Sequence, residues 1–350
     1  MPGIGYAGFV TMTEKRQTVV VLGAGSWGTA LALLLAEGSE VGGEVRLWDR
    51  NPALVDALGA DRENRHYLPG FSLSPEIMVT SDIRSAVSGS TSVVVAVPSG
   101  AVRSVVTLAT PFLMPGTDIV LASKGLEPET GLLPFQVAEA IAGTGFPLIA
   151  LSGPNLATEI ARGIPAAAVA ACPDRVCAER IAGLFHRPTF RVYASEDRTG
   201  VEIGGAIKNV LAIAGGVSDG LGFGDNTKAT LLTRGLAEMT RFGVALGARR
   251  DTFYGLAGVG DLMATAASRL SRNWRVGEGL AKGESLPAIL ERLGQVAEGV
   301  STAQVIVRLA DEHRVEMPVC AAVARLLNDE ISPREAVEKL MSRHSVREES

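Results

Sequence analysis

From Thr18 onward, short runs of apolar, often β-branched residues alternate with segments whose apolar positions recur at helical spacing. Strands are predicted at 18–22, 44–48, 77–80, 92–97, 118–122, 147–151 and 167–171, with helices at 27–36, 51–58 and 133–142 among the segments between them. The strands read as continuous apolar runs, the pattern of parallel strands covered on both faces. Strand and helix in alternation indicate an α/β fold, a doubly wound Rossmann-type domain expected over 18–197. Beyond Asp197 the strand signal stops. Periodic apolar positions then run through 201–217, 227–246, 261–282, 286–293, 301–313, 317–328 and 333–343, predicting an all-α domain over 198–350. A crevice between two such domains is a usual place for a small ligand.

The stretch 1–17 lacks a basic start, and Gly3, Gly5 and Gly8 interrupt its apolar residues, so a flexible tail is expected rather than a signal peptide. Met12 is an alternative start. No apolar run reaches the ~20 residues of a membrane span. With 33 basic and 38 acidic residues the net charge is −5, which argues against nucleic acid as a partner. Three cysteines, Cys172, Cys177 and Cys320, form no CxxC pair. Neither a disulfide framework nor a metal site is expected, and a reducing cytoplasm is.

Chemistry enters at Gly23-Ala-Gly25-Ser26-Trp27-Gly28, which follows the first strand and opens the first helix. In this context the first glycine allows a tight turn, the second lets a pyrophosphate approach the backbone, and the third permits close helix packing. The N–H groups at the helix start then face the phosphates. Asp49, ending the second strand, stands where an acid would grip the ribose 2′-hydroxyl of NAD; Arg50 would instead pair with the 2′-phosphate of NADP. Both readings stay open, with Arg50 tilting toward NADP or use of both.

Other strand ends carry Pro98-Ser99, Ser123-Lys124-Gly125 and Ser152-Gly153-Pro154-Asn155, all on the ligand side of an open sheet. Lys208 lies in a stretch otherwise nearly free of charge, with Gly204, Gly205, Leu211 and Ala212 on its helical face. Burying an unpaired ammonium costs several kcal/mol, so this lysine needs a partner, a ligand or a lowered pKa. A lowered pKa suits a proton donor and acceptor. Asp261 is either an N-cap or the counter-ion that Lys208 needs, with Thr265 one turn further along. Ser271-Arg272-Asn273 groups donors suited to a phosphate.

Together these segments resemble the NAD(P)-dependent glycerol-3-phosphate dehydrogenases of the bacterial type. The resemblance is carried by GAGSWGTALA, YLPG at 67–70, ASKGLE at 122–127, LSGP at 151–154, EIGGAIKNVLAIAGG at 202–216, GLAGVGDLMATAAS at 255–268, SRNWRVG at 271–277 and VAEGV at 296–300. It implies reduction of dihydroxyacetone phosphate to sn-glycerol 3-phosphate, supplying glycerophospholipid synthesis, with NADP or NAD as cofactor, no metal, and a homodimer. By motif position, Ser26, Trp27, Arg50, Ala157, Val296 and Glu298 would hold the cofactor, and Lys124 and Arg272 would touch both cofactor and substrate. Gly153, Asn155, Asp261, Ser271 and Asn273 would line the substrate, with Asn209 helping to stabilise the carbonyl oxygen and Lys208 moving the proton. Asn155 departs from the family, whose SGP motif continues with Ser or Thr.

Two other readings compete: a two-domain β-hydroxyacid or 2-keto-acid reductase, and a dinucleotide-binding sensor without turnover. A carboxylate substrate does not require the phosphate clamp of Ser271–Asn273, and a sensor gains nothing from an amine buried at Lys208. Fourteen of the 40 glycines lie between Gly200 and Gly260. There they are expected to let backbone approach substrate and cofactor closely.

Overall fold

A computed structural model describes residues 17–37 and 43–342. The tail expected over 1–17 lies outside the described residues except for Gln17, as does the last residue of the helix expected over 333–343. The strands are β1 (Thr18–Leu22), β2 (Glu44–Trp48), β3 (Glu63–Asn64), β4 (Leu68–Ser72), β5 (Ile77–Thr80), β6 (Ser92–Val95), β7 (Asp118–Leu121), β8 (Leu148–Ser152), β9 (Ala166–Ala171) and β10 (Phe190–Ser195).

Eight of them form one sheet in the order β10-β9-β8-β7-β6-β1-β2-β5. On β1, Val19 and Val21 enter the apolar core on one face of the sheet, while Val20 and Leu22 enter the core on the other. Both faces are therefore covered, and the strand reads as an unbroken apolar run. The chain leaves β1 toward β2 and β5 on one side, then returns to place β6 on the other. The reversal puts a crevice at the carboxyl ends of β1 and β6, where open α/β sheets bind ligands.

The sheet is not wholly parallel. β9 runs antiparallel to β8, while β9 and β10 are parallel to each other. The link from β8 to β9 carries only the short helix Ala157–Ala161. With no helix in that link long enough to cover the sheet face, the strands pair as neighbours in opposite senses. Edge strand β10 escapes the sequence pattern because Phe190 and Val192 are buried between exposed Arg191 and Tyr193. The hairpin β3–β4 escapes it because it is short, polar and irregular in register.

After β10 the described chain is helical, arranged around the central helix Arg198–Gly220, in which every residue from Gly200 to Ser218 is buried. That helix is also the one described segment long and apolar enough to cross a membrane, and it lies wholly inside the protein. The helix expected over 261–282 is two helices, Asp261–Ala267 and Arg272–Ala281. The second begins afresh because Ser271 caps it, its hydroxyl accepting from Trp274 N at 3.2 Å.

Several glycines of this region sit where helices pack. A Cβ on Gly204 would strike the carbonyl oxygen of Ala257, one on Gly216 that of Trp274, and one on Gly220 the Ala281 methyl at 2.6 Å. Neighbouring helices come backbone to backbone there, which is what holds Lys208 and Asp261 within reach of each other.

Candidate active site

The glycine turn after β1 has the shape its three glycines predict. Gly23 adopts φ +109°, and a Cβ there would lie 2.7 Å from Val97 Cγ1. A Cβ on Gly28 would strike the carbonyl oxygen of Gly23, whereas at Gly25 nothing lies within 4 Å. The open space is thus at the position where a pyrophosphate would meet the backbone. The Trp27 indole N–H is buried beside it without a hydrogen-bond partner. Such an orphaned donor fits an acceptor-rich ligand.

Asp49 braces this turn, its carboxylate accepting from Ala24 N and Asn51 N, both at 2.9 Å. Arg50 beside it is exposed. The β3–β4 hairpin forms a further wall. Asn64 Nδ2 donates to Ala24 O and Thr29 Oγ1, each at 2.8 Å, and the Ser26 hydroxyl donates to Tyr67 O at 2.6 Å. Asn64 is a residue the sequence reading missed. It sits in a polar stretch with no local signal, and only the fold brings it under the turn.

At the ends of β7 and β8 the second half of the site begins. Lys124 Nζ donates to Gly153 O at 2.7 Å and to Asp261 Oδ2 at 2.9 Å. Lys208 Nζ donates to Asp261 Oδ1 at 2.9 Å and to Thr265 Oγ1 at 2.8 Å. Asp261 is therefore the counter-ion of both lysines and not an N-cap; it occupies the first turn of its own helix. Each ammonium has three N–H groups, so one on each is left for a ligand.

The electrostatics follow from this arrangement. Burial lowers the pKa of Lys208 to about 8, helped by the nearby positive charges of Lys124 and Arg272, while Asp261 pulls the other way. Burial would push the Asp261 carboxyl up, but the two lysines outweigh it and hold it below its usual range. The cluster gathers three cationic side chains around Asp261 and the more distant Glu298, a balance that favours an anionic ligand.

Asn209 and Asn273 tie this cluster to the rest of the crevice. Asn209 Nδ2 donates to Lys124 O at 2.9 Å, Asn273 Nδ2 donates to Asn209 Oδ1 at 2.8 Å, and Gly299 N donates to Asn273 Oδ1 at 2.9 Å. Glu298, at the start of helix Glu298–Glu312, accepts from Ser99 N at 2.9 Å and from Ser99 Oγ at 2.6 Å. Gly125 is small because a Cβ would lie 2.6 Å from Ser99 Oγ and 2.7 Å from Glu298 Oε2. Burial raises the Glu298 pKa against the pull of Ser99 and Arg272. Arg272 keeps a solvent-exposed face, while the crowding of its guanidinium by protein lowers its pKa, opposed by Glu298.

Lys124, Gly153, Lys208, Asn209, Asp261 and Asn273 thus share one hydrogen-bonded network. Arg50 and Val296 are exposed and Ala157 is half-buried, at the start of its short helix; none of the three joins that network. The described residues contain no group of three His, Cys, Asp or Glu side chains able to hold a metal ion.

Comparisons with known proteins point to one family. The model of the NAD-dependent glycerol-3-phosphate dehydrogenase N-terminus matches residues 18–178, and that of the C-terminus matches residues 197–338. The chain is 46% identical over 330 residues to a glycerol-3-phosphate dehydrogenase [NAD(P)+] of Janthinobacterium sp. (strain Marseille), covering 93% of this chain and 98% of the relative. It is 48% identical over 332 residues to the protein of the same name from Aromatoleum aromaticum, covering 94% and 99%. The crystal structure of a glycerol-3-phosphate dehydrogenase from Coxiella burnetii superposes with a TM-score of 0.90 at 38% identity, covering 94% of this chain and 99% of that one.

Proposed function

The chain belongs to the NAD-dependent glycerol-3-phosphate dehydrogenase family, and from that premise we propose how its crevice reduces dihydroxyacetone phosphate to sn-glycerol 3-phosphate. The observation that carries the reading is the pair of ammonium groups on Asp261, from buried Lys208 and half-buried Lys124, each with an N–H to spare. A ketone being reduced develops negative charge on its oxygen, and preorganised donors in a dry site stabilise that charge.

Gly23, Gly25, Gly28 and the Trp27 N–H would hold the dinucleotide, which when bound supplies or accepts the hydride. Ser26, Ala157, Arg272, Val296 and Glu298 complete its surroundings in this reading. Lys208 gives its proton to the substrate oxygen in reduction and takes it back in oxidation. Lys124 supports the same oxygen, and Asp261 with Thr265 holds both amines in place. Arg272, with Ser271 and Asn273 at the start of helix Arg272–Ala281, anchors the phosphate. That remote binding energy orients the reacting carbon.

Both oxygens of Asp49 already accept from main-chain N–H groups, while Arg50 makes no hydrogen bond or ion pair among the described residues. This favours NADPH over NADH. The three cysteines are unpaired, in keeping with a cytoplasmic enzyme supplying glycerophospholipid synthesis; a homodimer rests on the family resemblance alone. The test follows NADPH and NADH absorbance on addition of dihydroxyacetone phosphate. Oxidation of neither cofactor by folded protein would sink the reading.

A further inference from the structure

We propose that Asn155 selects the substrate by its terminal hydroxyl group, accepting a hydrogen bond from the hydroxymethyl end that lies opposite the phosphate. The inference rests on the reading of the turn after β8 as a wall of the substrate site.

That turn is held rigidly. Gly153 adopts φ +145°, and a Cβ there would lie 2.9 Å from Ala168 Cα and 3.0 Å from Ala167 O. Its carbonyl oxygen accepts from Lys124, the lysine that also binds Asp261. Two residues on, Asn155 Nδ2 donates to Ala167 O at 3.1 Å. A main-chain carbonyl can only accept, so chemistry alone fixes which way the amide faces. The NH2 group must turn to β9 and Oδ1 must turn away from it. Oδ1 is buried and has no hydrogen-bond partner, and it lies 3.5 Å from the position of a Cβ on Gly153.

An orphaned buried acceptor is costly unless a donor meets it. The reacting molecules offer few donors. Phosphate oxygens and the ketone oxygen are acceptors and would be repelled. The hydroxyls of dihydroxyacetone phosphate and of sn-glycerol 3-phosphate are donors. The site's order also agrees: in the hydrogen-bonded network Asn273, next to Arg272 in sequence, lies at one end, and Lys124 with Gly153, two residues before Asn155, at the other. A substrate anchored by phosphate at the first end presents its hydroxymethyl group to the second. Ser152 Oγ, the turn's other unpartnered buried atom, sits by the central helix, 2.8 Å from the Cβ that Gly205 lacks. A hydroxyl there can donate or accept, so it imposes no such polarity; the amide oxygen of Asn155 does.

The experiment compares dihydroxyacetone phosphate with hydroxyacetone phosphate, in which a methyl group replaces the hydroxymethyl, in the wild type and in Asn155→Ala. The wild type is expected to prefer the hydroxylated substrate by about tenfold in kcat/KM. In Asn155→Ala that preference should fall to within about twofold of unity, through loss on the hydroxylated substrate only. Asn155→Ser, which restores an acceptor, should recover part of it. An equal loss on both substrates with the preference intact would make Asn155 a purely structural brace and overturn the proposal. A rise in cofactor KM with the preference intact would overturn it too, by assigning Oδ1 to the carboxamide of the nicotinamide. Absence of turnover with dihydroxyacetone phosphate in the wild type would instead bring down the reading of the whole site.

Discussion

Asn273 reaches Asn209 through a single amide-to-amide hydrogen bond of 2.8 Å between two buried side chains. The bond is the middle of a relay from the main chain of Lys124 to the first turn of helix Glu298–Glu312. Most of the Asn273 amide is therefore engaged by protein, whatever it also offers a substrate phosphate. Asn273→Ala should lower kcat tenfold or more at saturating substrate, because a displacement of about 1 Å at a catalytic group can cost on the order of a hundredfold. A change confined to KM would show that the residue acts on the phosphate alone.

The proton-transfer assignment has a pH signature. Lys208 must be charged to give a proton and neutral to take one, and burial brings its pKa to about 8. Ketone reduction should therefore decline as pH rises through about 8, and alcohol oxidation should decline as pH falls through it. Lys208→Ala should abolish both while leaving cofactor affinity, measured by fluorescence titration, close to wild type. Superimposable pH profiles in the two directions would remove Lys208 from the proton path.

How far this site could be read from the chain depended on whether its parts were local. The glycine turn is a contiguous motif with its own strand and helix, so Gly23, Gly25 and Gly28 announced their roles. Lys208 stood out because a charge in an apolar helix is costly wherever it lies. Its partner was harder: Asp261 is distant in sequence, and an acid at a helix start also reads as a cap. The hairpin that supplies Asn64 and the reversal at β9 had no local signature and follow from pairing in space, while edge strand β10 alternates buried and exposed residues and so differs from the continuous apolar runs of the predicted strands. The glycine-rich stretch could not be assigned from the chain, because close helix packing and close ligand approach demand the same residue.

Cofactor choice turns on Arg50. It is exposed and makes no hydrogen bond or ion pair among the described residues, while Asp49 next to it is occupied by Ala24 and Asn51. Arg50→Ala should raise the KM for NADPH about tenfold and leave that for NADH nearly unchanged, since only NADPH carries the 2′-phosphate. Steady-state kinetics with both cofactors checks it. An equal effect on both would place Arg50 away from the 2′ position.

Stability should also depend on pH, through two buried carboxylates that serve no chemistry. Helices Pro134–Ala142 and Pro318–Leu327 each begin with proline after an apolar residue, Leu133 or Met317, whose side chain cannot cap. Acids from other helices cap them instead. Glu202 accepts from Phe135 N at 3.2 Å, and Glu238 accepts from Val319 N at 2.7 Å and Cys320 N at 3.1 Å. Burial raises their pKa values to about 8 and about 7, against these N–H groups. The folded state thus binds a proton more tightly than the unfolded chain, whose carboxyl titrates near ~4.3. Stability is fullest below that pH and declines as pH rises toward about 7 for Glu238, by on the order of 3–4 kcal/mol. Glu238→Gln keeps an oxygen for Val319 N but cannot ionise. Its urea midpoint should fall less than that of the wild type between pH 5 and pH 8, and parallel curves for the two proteins would show that Glu238 stays ionised throughout.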